Sequence, residues 1–302
     1  MSNYVTAIGL DVHARSISAC AFDPMTGEVS RARFGYDPAS VAEWALGFES
    51  PKAVYESGPT GFRLCRALRA LGVDRAVGAV SKMHRPAADR GRKNDRRDAE
   101  WLARLLACRN VVEVWVPDER TEAARDLSRA LEDARDDLQR ARQRMSKFLL
   151  RHGLVFDETT PTGRRRSNWT EAHWRWARSI EFDEADDAAA YERYTDAVDR
   201  CGEAKRELER RVVEAASRPE RAPTVDALCP VKGVDVATAF LLAAEAGDFS
   251  RFPSAPSFAA WCGLAPSERS SGETESRGGI TRAGNSHVRR ALVEASRHVP
   301  MS

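Results

Sequence analysis

The sequence has little of what marks a secreted or membrane protein. Its six cysteines are dispersed and none forms a C-x-x-C pair, so neither a disulfide framework nor a zinc site is indicated. The longest apolar run, residues 236–244, is too short to cross a bilayer. The N-terminus has no charged region followed by an apolar one. We therefore expect no signal peptide, no membrane partner and a cytoplasmic location.

A strong excess of one charge is also missing. Lysine and arginine number 47 and the acidic residues 45, so the total charge alone does not indicate a nucleic-acid binder. The basic residues are nevertheless grouped, in residues 85–97, 140–147, 164–166 and 282–290. Such local patches matter more for phosphate binding than the total charge does. An Arg- and Ala-rich composition accounts equally well for the first three groups.

The first 80 residues have the pattern of a mixed α/β domain. Residues 38–48 and 62–71 are predicted helices, and the predicted strands are residues 4–12, 17–22, 28–34, 52–56 and 73–80. This order, followed by further helices, is typical of the ribonuclease-H-like fold, the class to which RuvC belongs. Strand periodicity alone does not distinguish that fold from other mixed sheets.

Four carboxylates stand where a metal site is expected. Asp11 ends the first predicted strand and Glu56 the fourth, where an acid is natural at the active edge of a sheet. Asp95 and Asp98 begin an amphipathic helix and share one of its faces. Oxygen ligands of this kind suit Mg²⁺ or Mn²⁺, which activates nucleophiles toward a phosphodiester. Taken singly, each acid is explained as well by a cap or strand-end role.

Two long helical seams follow this domain. Apolar residues recur in steps of three and four through residues 124–148 and 191–215, which predicts an antiparallel coiled-coil hairpin or an arm that pairs between protomers. The charges along these helices are interpreted as solvated faces. The connector between them holds three arginines at 164–166 and three tryptophans, Trp169, Trp174 and Trp176. These either bind nucleic acid or, as we favour for the tryptophans, pack against an apolar surface.

The last part of the chain begins after a helix break at residues 218–223. Residues 228–239 resemble half of a helix-hairpin-helix, in which backbone N–H groups meet a phosphate, but Asp235 replaces the usual second glycine. A plain turn between packed helices explains this stretch equally well. A helix is then predicted to end at Gly263, before a loop rich in Ser, Gly and Arg.

The serines of this loop are candidate nucleophiles. A serine attacks phosphorus when cations neutralise the phosphate and another group takes its proton. The residues alone do not choose among Ser267, Ser270 and Ser271. Basic side chains that suit phosphate lie beside both groups of candidates: Arg92, Lys93, Arg96 and Arg97 near the paired aspartates, and Arg269, Arg277, Arg282, Arg289 and Arg290 near the serines.

Several of these blocks together resemble one known family. Residues 9–11 (GLD), 56–61 (ESGPTG) and 93–99 (KNDRRDA) are similar to the N-terminal blocks of the DEDD transposases of bacterial insertion sequences. The type is that of insertion sequence one hundred and ten, related to the Piv invertase. Residues 263–272 and 280–284 resemble the C-terminal transposase domain of the same family.

The resemblance implies roles for particular residues. Asp11, Glu56, Asp95 and Asp98 would hold Mg²⁺ (or Mn²⁺) in a RuvC-like domain, and Ser271 would be the nucleophile that bonds covalently to DNA. It further implies double-stranded DNA and a structured guide (bridge) RNA as partners. A homodimer or homotetramer is implied as well, with a composite site in which the metal domain of one subunit meets the serine domain of another.

We therefore expect three domains. Residues 1–117 are the RuvC-like metal domain, residues 118–217 a coiled-coil helical hairpin with its Trp- and Arg-rich connector, and residues 218–302 a mainly helical serine transposase domain. Family members usually continue beyond the equivalent of Arg290, so the last domain is expected to be shortened.

The favoured function is a Mg-dependent, RNA-guided DNA recombinase with a serine nucleophile. Three alternatives remain. One is a RuvC-like nuclease that cuts branched DNA with metal-activated water alone. Another is an inactive remnant that binds nucleic acid. The third is an actin-like sugar kinase or ATPase, which the missing Gly-rich phosphate loop argues against.

Overall fold

The chain divides into two compact units, Met1–Asp118 and Glu119–Ser302. The computed structural model describes residues 5–79, 83, 95–268 and 277–298, with the backbone alone at 95, 96, 268 and 277. No helix in these described ranges combines the length and the apolar character that a membrane span requires.

The first unit is a five-stranded sheet with helices on both faces. Its strands β1 to β5 are Thr6–Val12, Ser16–Phe22, Val29–Gly35, Pro51–Glu56 and Asp74–Gly78, and its helices α1 to α3 are Pro38–Leu46, Arg63–Ala70 and Asp95–Ala107. The strand order is β3-β2-β1-β4-β5. β1 to β3 form an antiparallel meander, whereas β4 is parallel to both β1 and β5. This mixed α/β order is consistent with the predicted ribonuclease-H-like class.

The central strand β1 contributes to two separate cores. Ile8 and Leu10 are buried with residues of α1 and α2 on one face of the sheet. Ala7 is buried with Leu102 of α3 on the other face. Because successive side chains of a strand alternate between faces, Gly9 lies on the α3 face with Ala7.

The second unit is mainly helical. Its helices α4 to α10 are Glu119–Arg151, Glu171–Arg178, Ala185–Ala216, Ala222–Leu228, Val236–Ala246, Ala255–Cys262 and Ser286–Ser296, and one 3-10 turn spans Phe249–Arg251. Two short strands, β6 (Pro266–Glu268) and β7 (Arg277–Ile280), pair antiparallel. Helix α8 is buried almost throughout, because the apolar faces of α4, α6, α7 and α10 surround it.

The long helices α4 and α6 pack along each other through the predicted apolar seam. Leu138, Met145 and Phe148 of α4 share one core with Tyr191 and Val198 of α6. Burying one apolar stripe on each helix stabilises both, since most helical stability in proteins comes from the packing of an amphipathic face. Pairing of this arm between protomers stays a prediction.

The connector between α4 and α6 folds onto this seam. Trp169, Trp174 and Trp176 surround the buried His173, with ring centroids between 4.8 and 6.4 Å from the imidazole. The same three tryptophans pack against the core of α4 and α6. The packing interpretation of the tryptophans is therefore confirmed.

Candidate functional site

The carboxyl ends of β1 and β4 bring two of the predicted acids side by side. Leu10 of β1 pairs in register with Tyr55 of β4. The next residues along these parallel strands are Asp11 and Glu56, which therefore occupy neighbouring positions. Residues at matching positions of parallel strands project from the same face. Both acids consequently belong to the face opposite that of the buried Leu10.

Helix α3 crosses that same face and approaches it most closely at Gly9. An ideal Cβ on Gly9 would lie 2.0 Å from the carbonyl oxygen of Ala99 and 2.5 Å from the amide nitrogen of Ala103. Only glycine leaves room for helix backbone so near to strand backbone. The glycine of the Gly-Leu-Asp block thus has a packing role that is separate from the carboxylate beside it.

The direction of α3 follows from the same contacts. Ala7, near the start of β1, packs with Leu102 and Leu106. Gly9, further along β1, faces the turn of α3 that precedes them. Helix α3 therefore runs antiparallel to β1. Its N-terminus lies toward the carboxyl end of the strand.

This orientation brings the remaining two acids toward the first two. Asp95 is the first residue of α3. Asp98 is half-buried and shares a helix face with Leu102, which packs on the sheet. The backbone thus places all four predicted positions at one end of one sheet face, where Asp11 and Glu56 end their strands.

One histidine that the sequence analysis did not identify lies beside Asp11 in this group. Nε2 of His13 lies 3.2 Å from Oδ2 of Asp11, and the two side chains are 46% and 21% exposed. A ring nitrogen at this distance orients the carboxylate. The one available signal was its position two residues after Asp11, just past the end of β1.

The described side chains do not themselves form a metal cluster. In the described ranges, no three His, Cys, Asp or Glu side chains stand together as a group that could hold a metal ion. The side chain of Asp95, one of the four predicted ligands, lies outside the described residues. The donor chemistry suits a hard cation, because all four predicted ligands are carboxylates.

A further acid of α3 has a structural partner instead. Glu100 accepts hydrogen bonds from Arg31 of β3 at 2.6 Å and from Arg104 at 2.8 Å. Both hydrogen bonds lower the pKa of Glu100, and the bond from Arg31 has the larger effect. They hold α3 against the antiparallel side of the sheet, so Glu100 secures the helix that carries Asp98.

The basic residues before α3 are only partly described. Arg97 is exposed in the first turn of the helix. The predicted contacts Arg92 and Lys93, and the side chain of Arg96, lie outside the described residues. Their assignment to phosphate stays a prediction.

The predicted Ser- and Gly-rich loop contains a strand pair. Pro266 of β6 pairs with Ile280 of β7, and Glu268 with Arg277. Oγ of Ser267 donates to the carbonyl oxygen of Gly279 at 2.9 Å. The expectation of a loop throughout was therefore wrong at these residues, because cross-strand bonds order them.

The candidate serines differ in what the structure describes. The hydroxyl of Ser267 is engaged across the strand pair and is a poor candidate nucleophile. Ser270 and Ser271 lie in residues 269–276, outside the described residues, together with Arg269. The side chain of Arg277 is likewise not described. The choice of Ser271 therefore continues to depend on the family resemblance.

The base of this strand pair is held by two glycines. Gly263 ends α9 with a φ of 71° in the left-handed region, as the sequence predicted. An ideal Cβ on Gly284 would lie 2.2 Å from the carbonyl oxygen of Trp261. The amide of Arg282 donates to the carbonyl of Gly263 at 3.0 Å. The end of α9 and the start of α10 are thereby locked together.

A buried charge cluster secures the same junction. Glu245 of α8 is 1% exposed and accepts hydrogen bonds from Arg129 at 2.7 Å and from Asn285 at 2.8 Å. Burial alone would raise the pKa of Glu245, but the hydrogen bond and charge of Arg129 outweigh it, so that pKa is lowered. Asn285 also caps α10 by accepting from the amide of Val288. A lone acid in an apolar helix was the signal for such a pair.

Two predicted DNA contacts have partners within the second unit. Arg289 donates to the carbonyl oxygen of Cys262 at 2.9 Å. Arg290 donates to Glu132 at 2.8 Å and to Asp136 at 3.2 Å. Both arginines therefore attach α10 to neighbouring helices. Any role of theirs toward nucleic acid stays a prediction.

The remaining predicted arginine has a different setting. Arg282 is exposed, has a φ of 55° and lies at the base of the strand pair. Arg290 is exposed as well, whereas Arg289 is partly buried.

The helix-hairpin-helix-like stretch ends in a capped helix. Oδ1 of Asp235 accepts from the amide of Thr238 at 2.7 Å, at the N-terminus of α8. Gly233 has a φ of 85°, and an ideal Cβ there would lie 2.3 Å from the carbonyl oxygen of Ala295. A carboxylate of the chain itself thus occupies the place where a phosphate would meet the helix N-terminus. These contacts favour the plain turn between packed helices.

Comparisons with known proteins agree on one family. Residues 8–153 match the IS110-type DEDD family described as "Transposase", and residues 225–301 match the "Transposase IS116/IS110/IS902 family". The first match contains Asp11, Glu56, Asp95 and Asp98, and the second contains Ser271.

Individual relatives bear similar names. The chain is 38% identical over 270 residues to "Putative transposase y4qE" of Sinorhizobium fredii, across 89% of this chain and 64% of that protein. It is 29% identical over 248 residues to the transposase for insertion sequence element IS1533 of Leptospira borgpetersenii, across 80% of this chain and 70% of that protein. The chain thus spans a little under two thirds of the length of y4qE.

Proposed function

Because this chain belongs to the IS116/IS110/IS902 family of transposases, we propose that it cleaves and rejoins DNA strands to move an insertion sequence. The observation that carries the proposal is the shared position of Asp11 and Glu56 at the ends of parallel β1 and β4, with the first turn of α3 directed to the same end. Acids gathered from separate elements at one sheet end favour metal-dependent phosphodiester chemistry over a structural role.

We assign the binding of Mg²⁺ or Mn²⁺ to Asp11, Glu56, Asp95 and Asp98. A divalent cation bound by these residues would reduce the negative charge on the scissile phosphate. The assignment is supported by the backbones of Asp11 and Asp98, which lie at the same end of one sheet face. His13, whose Nε2 lies 3.2 Å from Oδ2 of Asp11, would hold that carboxylate in place for such an ion.

We assign the nucleophile to Ser271. Its hydroxyl oxygen attacks phosphorus, a serine–phosphate ester forms, and the bond from phosphorus to one deoxyribose oxygen breaks. The hydroxyl proton leaves as the new ester forms, and the departing sugar oxygen gains a proton to become a hydroxyl. The reverse reaction with a second DNA end rejoins the strands without any external energy source.

Two variants test these assignments, each with a matched control. Purified protein is incubated with double-stranded DNA carrying element ends and Mg²⁺, and covalent protein–DNA adducts are separated on a denaturing gel. Ser271→Ala is expected to abolish the adduct, whereas Ser267→Ala retains it, because that hydroxyl only bridges β6 and β7. Asp11→Asn is expected to abolish cleavage, whereas Glu43→Gln, an exposed acid of α1 on the other sheet face, does not.

The outcomes separate the competing functions. Cleavage that survives Ser271→Ala but not Asp11→Asn indicates a nuclease that uses metal-activated water alone. DNA binding without cleavage under any condition indicates an inactive remnant. Full activity of Asp11→Asn refutes the carboxylate site altogether.

We further propose a structured guide RNA and a homodimer or homotetramer, both supported by the family resemblance alone. Extraction of nucleic acid from the purified protein, followed by ribonuclease digestion and sequencing, tests the RNA. Light scattering during size-exclusion chromatography tests the oligomer. A monomer free of RNA that still exchanges strands would remove both proposals.

A further inference from the structure

Helix α4 carries a row of cations on the side away from its apolar seam. Arg140, Arg144, Lys147 and Arg151 are separated by four, three and four residues, and all four are exposed. This spacing places them on one helix face. With a rise of about 1.5 Å per residue, the row extends over roughly 16 Å. We call these four residues the α4 cation row.

Three members of the row, Arg144, Lys147 and Arg151, have no acid three or four residues away along the helix. Residues 138–156 include neither aspartate nor glutamate. In the described parts of the chain, no carboxylate forms an ion pair with Arg144, Lys147 or Arg151. Arg140 pairs with Asp137 at 2.7 Å, but both side chains are more than half exposed, so water screens this pair.

Helix α6 shows the opposite arrangement. Its exposed arginines are accompanied by acids of the same helix: Arg210 bonds Glu207 at 2.8 Å, and Arg211 bonds the same carboxylate at 2.7 Å. Those charges are balanced locally, as expected for a solvated face. The α4 cation row therefore differs from the ordinary charged surface of this unit.

The row is also distinct from the cations that serve packing. Arg142, which lies between two of its members, turns to the connector, where its guanidinium lies 5.0 Å from the ring centroid of Trp169. Met145 and Phe148 face the α6 seam. Apolar residues and Arg142 thus fix the rotation of α4 and leave the row exposed, and the Arg151 guanidinium also lies 5.6 Å from the ring centroid of Phe148.

We propose that the α4 cation row binds the phosphate backbone of duplex DNA. This inference rests on the proposed function, since DNA is the substrate of that reaction. A row of about 16 Å matches the axial rise of roughly five nucleotides of one strand, at ~3.4 Å each, so its cations can reach the phosphates that face them on one side of a duplex. Point charges on flexible stems contact phosphate without reading base sequence. The row therefore contributes affinity, not specificity.

The experiment compares two variants of the full chain that lose equal charge. One replaces the row (R140Q/R144Q/K147Q/R151Q), and the control replaces four exposed arginines of α6 (R200Q/R206Q/R210Q/R211Q). Binding to a 30-base-pair duplex is measured by fluorescence anisotropy between about 50 and 300 mM salt. Circular dichroism verifies the helix content of each variant.

We expect the row variant to bind duplex DNA at least tenfold more weakly at low salt. The slope of log affinity against log salt is expected to fall by about 3.6 in magnitude, because each of the four phosphate contacts contributes ~0.9. The control is expected to change affinity less than threefold. Should the row variant lose its helix content, the double variant R144Q/K147Q replaces it. The change in slope expected for that variant is about half as large.

Equal losses in the two variants would show a general charge effect and overturn the proposal. An unchanged slope in the row variant would overturn it as well, and so would a loss seen only with a structured RNA of the same length. Wild-type protein that binds duplex DNA through the row yet never cleaves it would refute the proposed function and leave the row intact.

Discussion

The backbone of α3 rests directly on Gly9, since an ideal Cβ at that position would lie 2.0 Å from the carbonyl oxygen of Ala99. Side-chain rotation cannot relieve such a contact, because the atoms nearest the added Cβ, the oxygen of Ala99 and the nitrogen of Ala103, belong to the backbone of α3. The separation between β1 and the helix that begins with Asp95 is thus set by the absence of one methyl group.

We therefore expect Gly9→Ala to destabilise the first unit by about 3 kcal/mol, the upper range for overpacking. Hydrogen exchange of the full chain provides the measurement, with loss of protection expected in β1 and α3. Gly35→Ala is the control, because no atom lies within 4 Å of an added Cβ there. Equal protection in the two variants would contradict the close approach.

Glu245 is expected to stabilise the second unit through its buried partners. Glu245→Gln removes the buried carboxylate that pairs with Arg129 at 2.7 Å and lies 3.9 Å from Arg125, and it should cost about 3 kcal/mol in urea unfolding. The pKa of Glu245 is lowered by folding, so this stability is present above the unfolded carboxyl pKa and is lost as pH falls through the folded value. Glu203→Gln, an exposed acid of α6, serves as the control. A loss no greater than that of the control would disprove the cluster's role.

Acid is expected to loosen the connector through His173. This imidazole is 3% exposed. Its pKa is lowered mainly by burial and, to a smaller extent, by the positive charge of Arg142. Because the unfolded chain binds the proton more readily, stability falls as pH drops below about 6.5, by up to ~1.4 kcal/mol per pH unit. Unfolding of His173→Phe should show a flatter profile between pH 7.5 and 5.5.

The exposed His298→Gln variant is the control for this profile and should keep the wild-type slope. Tryptophan fluorescence reports the transition directly, since three tryptophans surround His173. An identical slope in wild type and His173→Phe would assign the acid sensitivity elsewhere.

Substitution of Arg290 is expected to lower stability, whereas substitution of Arg282 is expected to weaken DNA binding. Arg290→Gln removes a hydrogen bond to the buried Glu132 and should lower stability by about 1 kcal/mol, discounted because Arg290 is 49% exposed. Arg282→Gln should leave the melting temperature unchanged and weaken binding to duplex DNA. Thermal melts and anisotropy on both variants decide the matter, and a reversed pattern would favour Arg290 over Arg282 as the DNA contact.

The N-terminal elements follow from the sequence because local patterns encode them. Strands with continuous apolar runs between turn residues, such as residues 6–12 and 51–56, were predicted within two residues. The ends of those strands then fixed where Asp11 and Glu56 stand. The direction of α3 was beyond such reasoning, because it depends on contacts of Gly9 with residues ninety positions away.

The strand pair β6–β7 could not be predicted for a related reason. Pro266, Gly278 and Gly279 have low strand propensity, so the pattern indicates a loop. What orders them is distant in sequence: the Ser267 bond to Gly279, and the amide of Thr281 that donates to Ala265 at 2.9 Å. Similarly, an apolar helix with one acid suggests a buried pair but does not name Arg129 or Asn285 as its partners.

The interlock of Gly263 and Gly284 has a consequence for how such proteins diversify. Strand β6 follows this junction and β7 leads back into it, and the hydrogen bond from Asn285 to Glu245 stabilises the junction. Insertions or deletions between the stems, in residues 269–276, leave every one of these anchoring contacts in place. The junction can therefore stay fixed while the segment that carries Ser271 changes, whereas the two glycines tolerate no side chain at all.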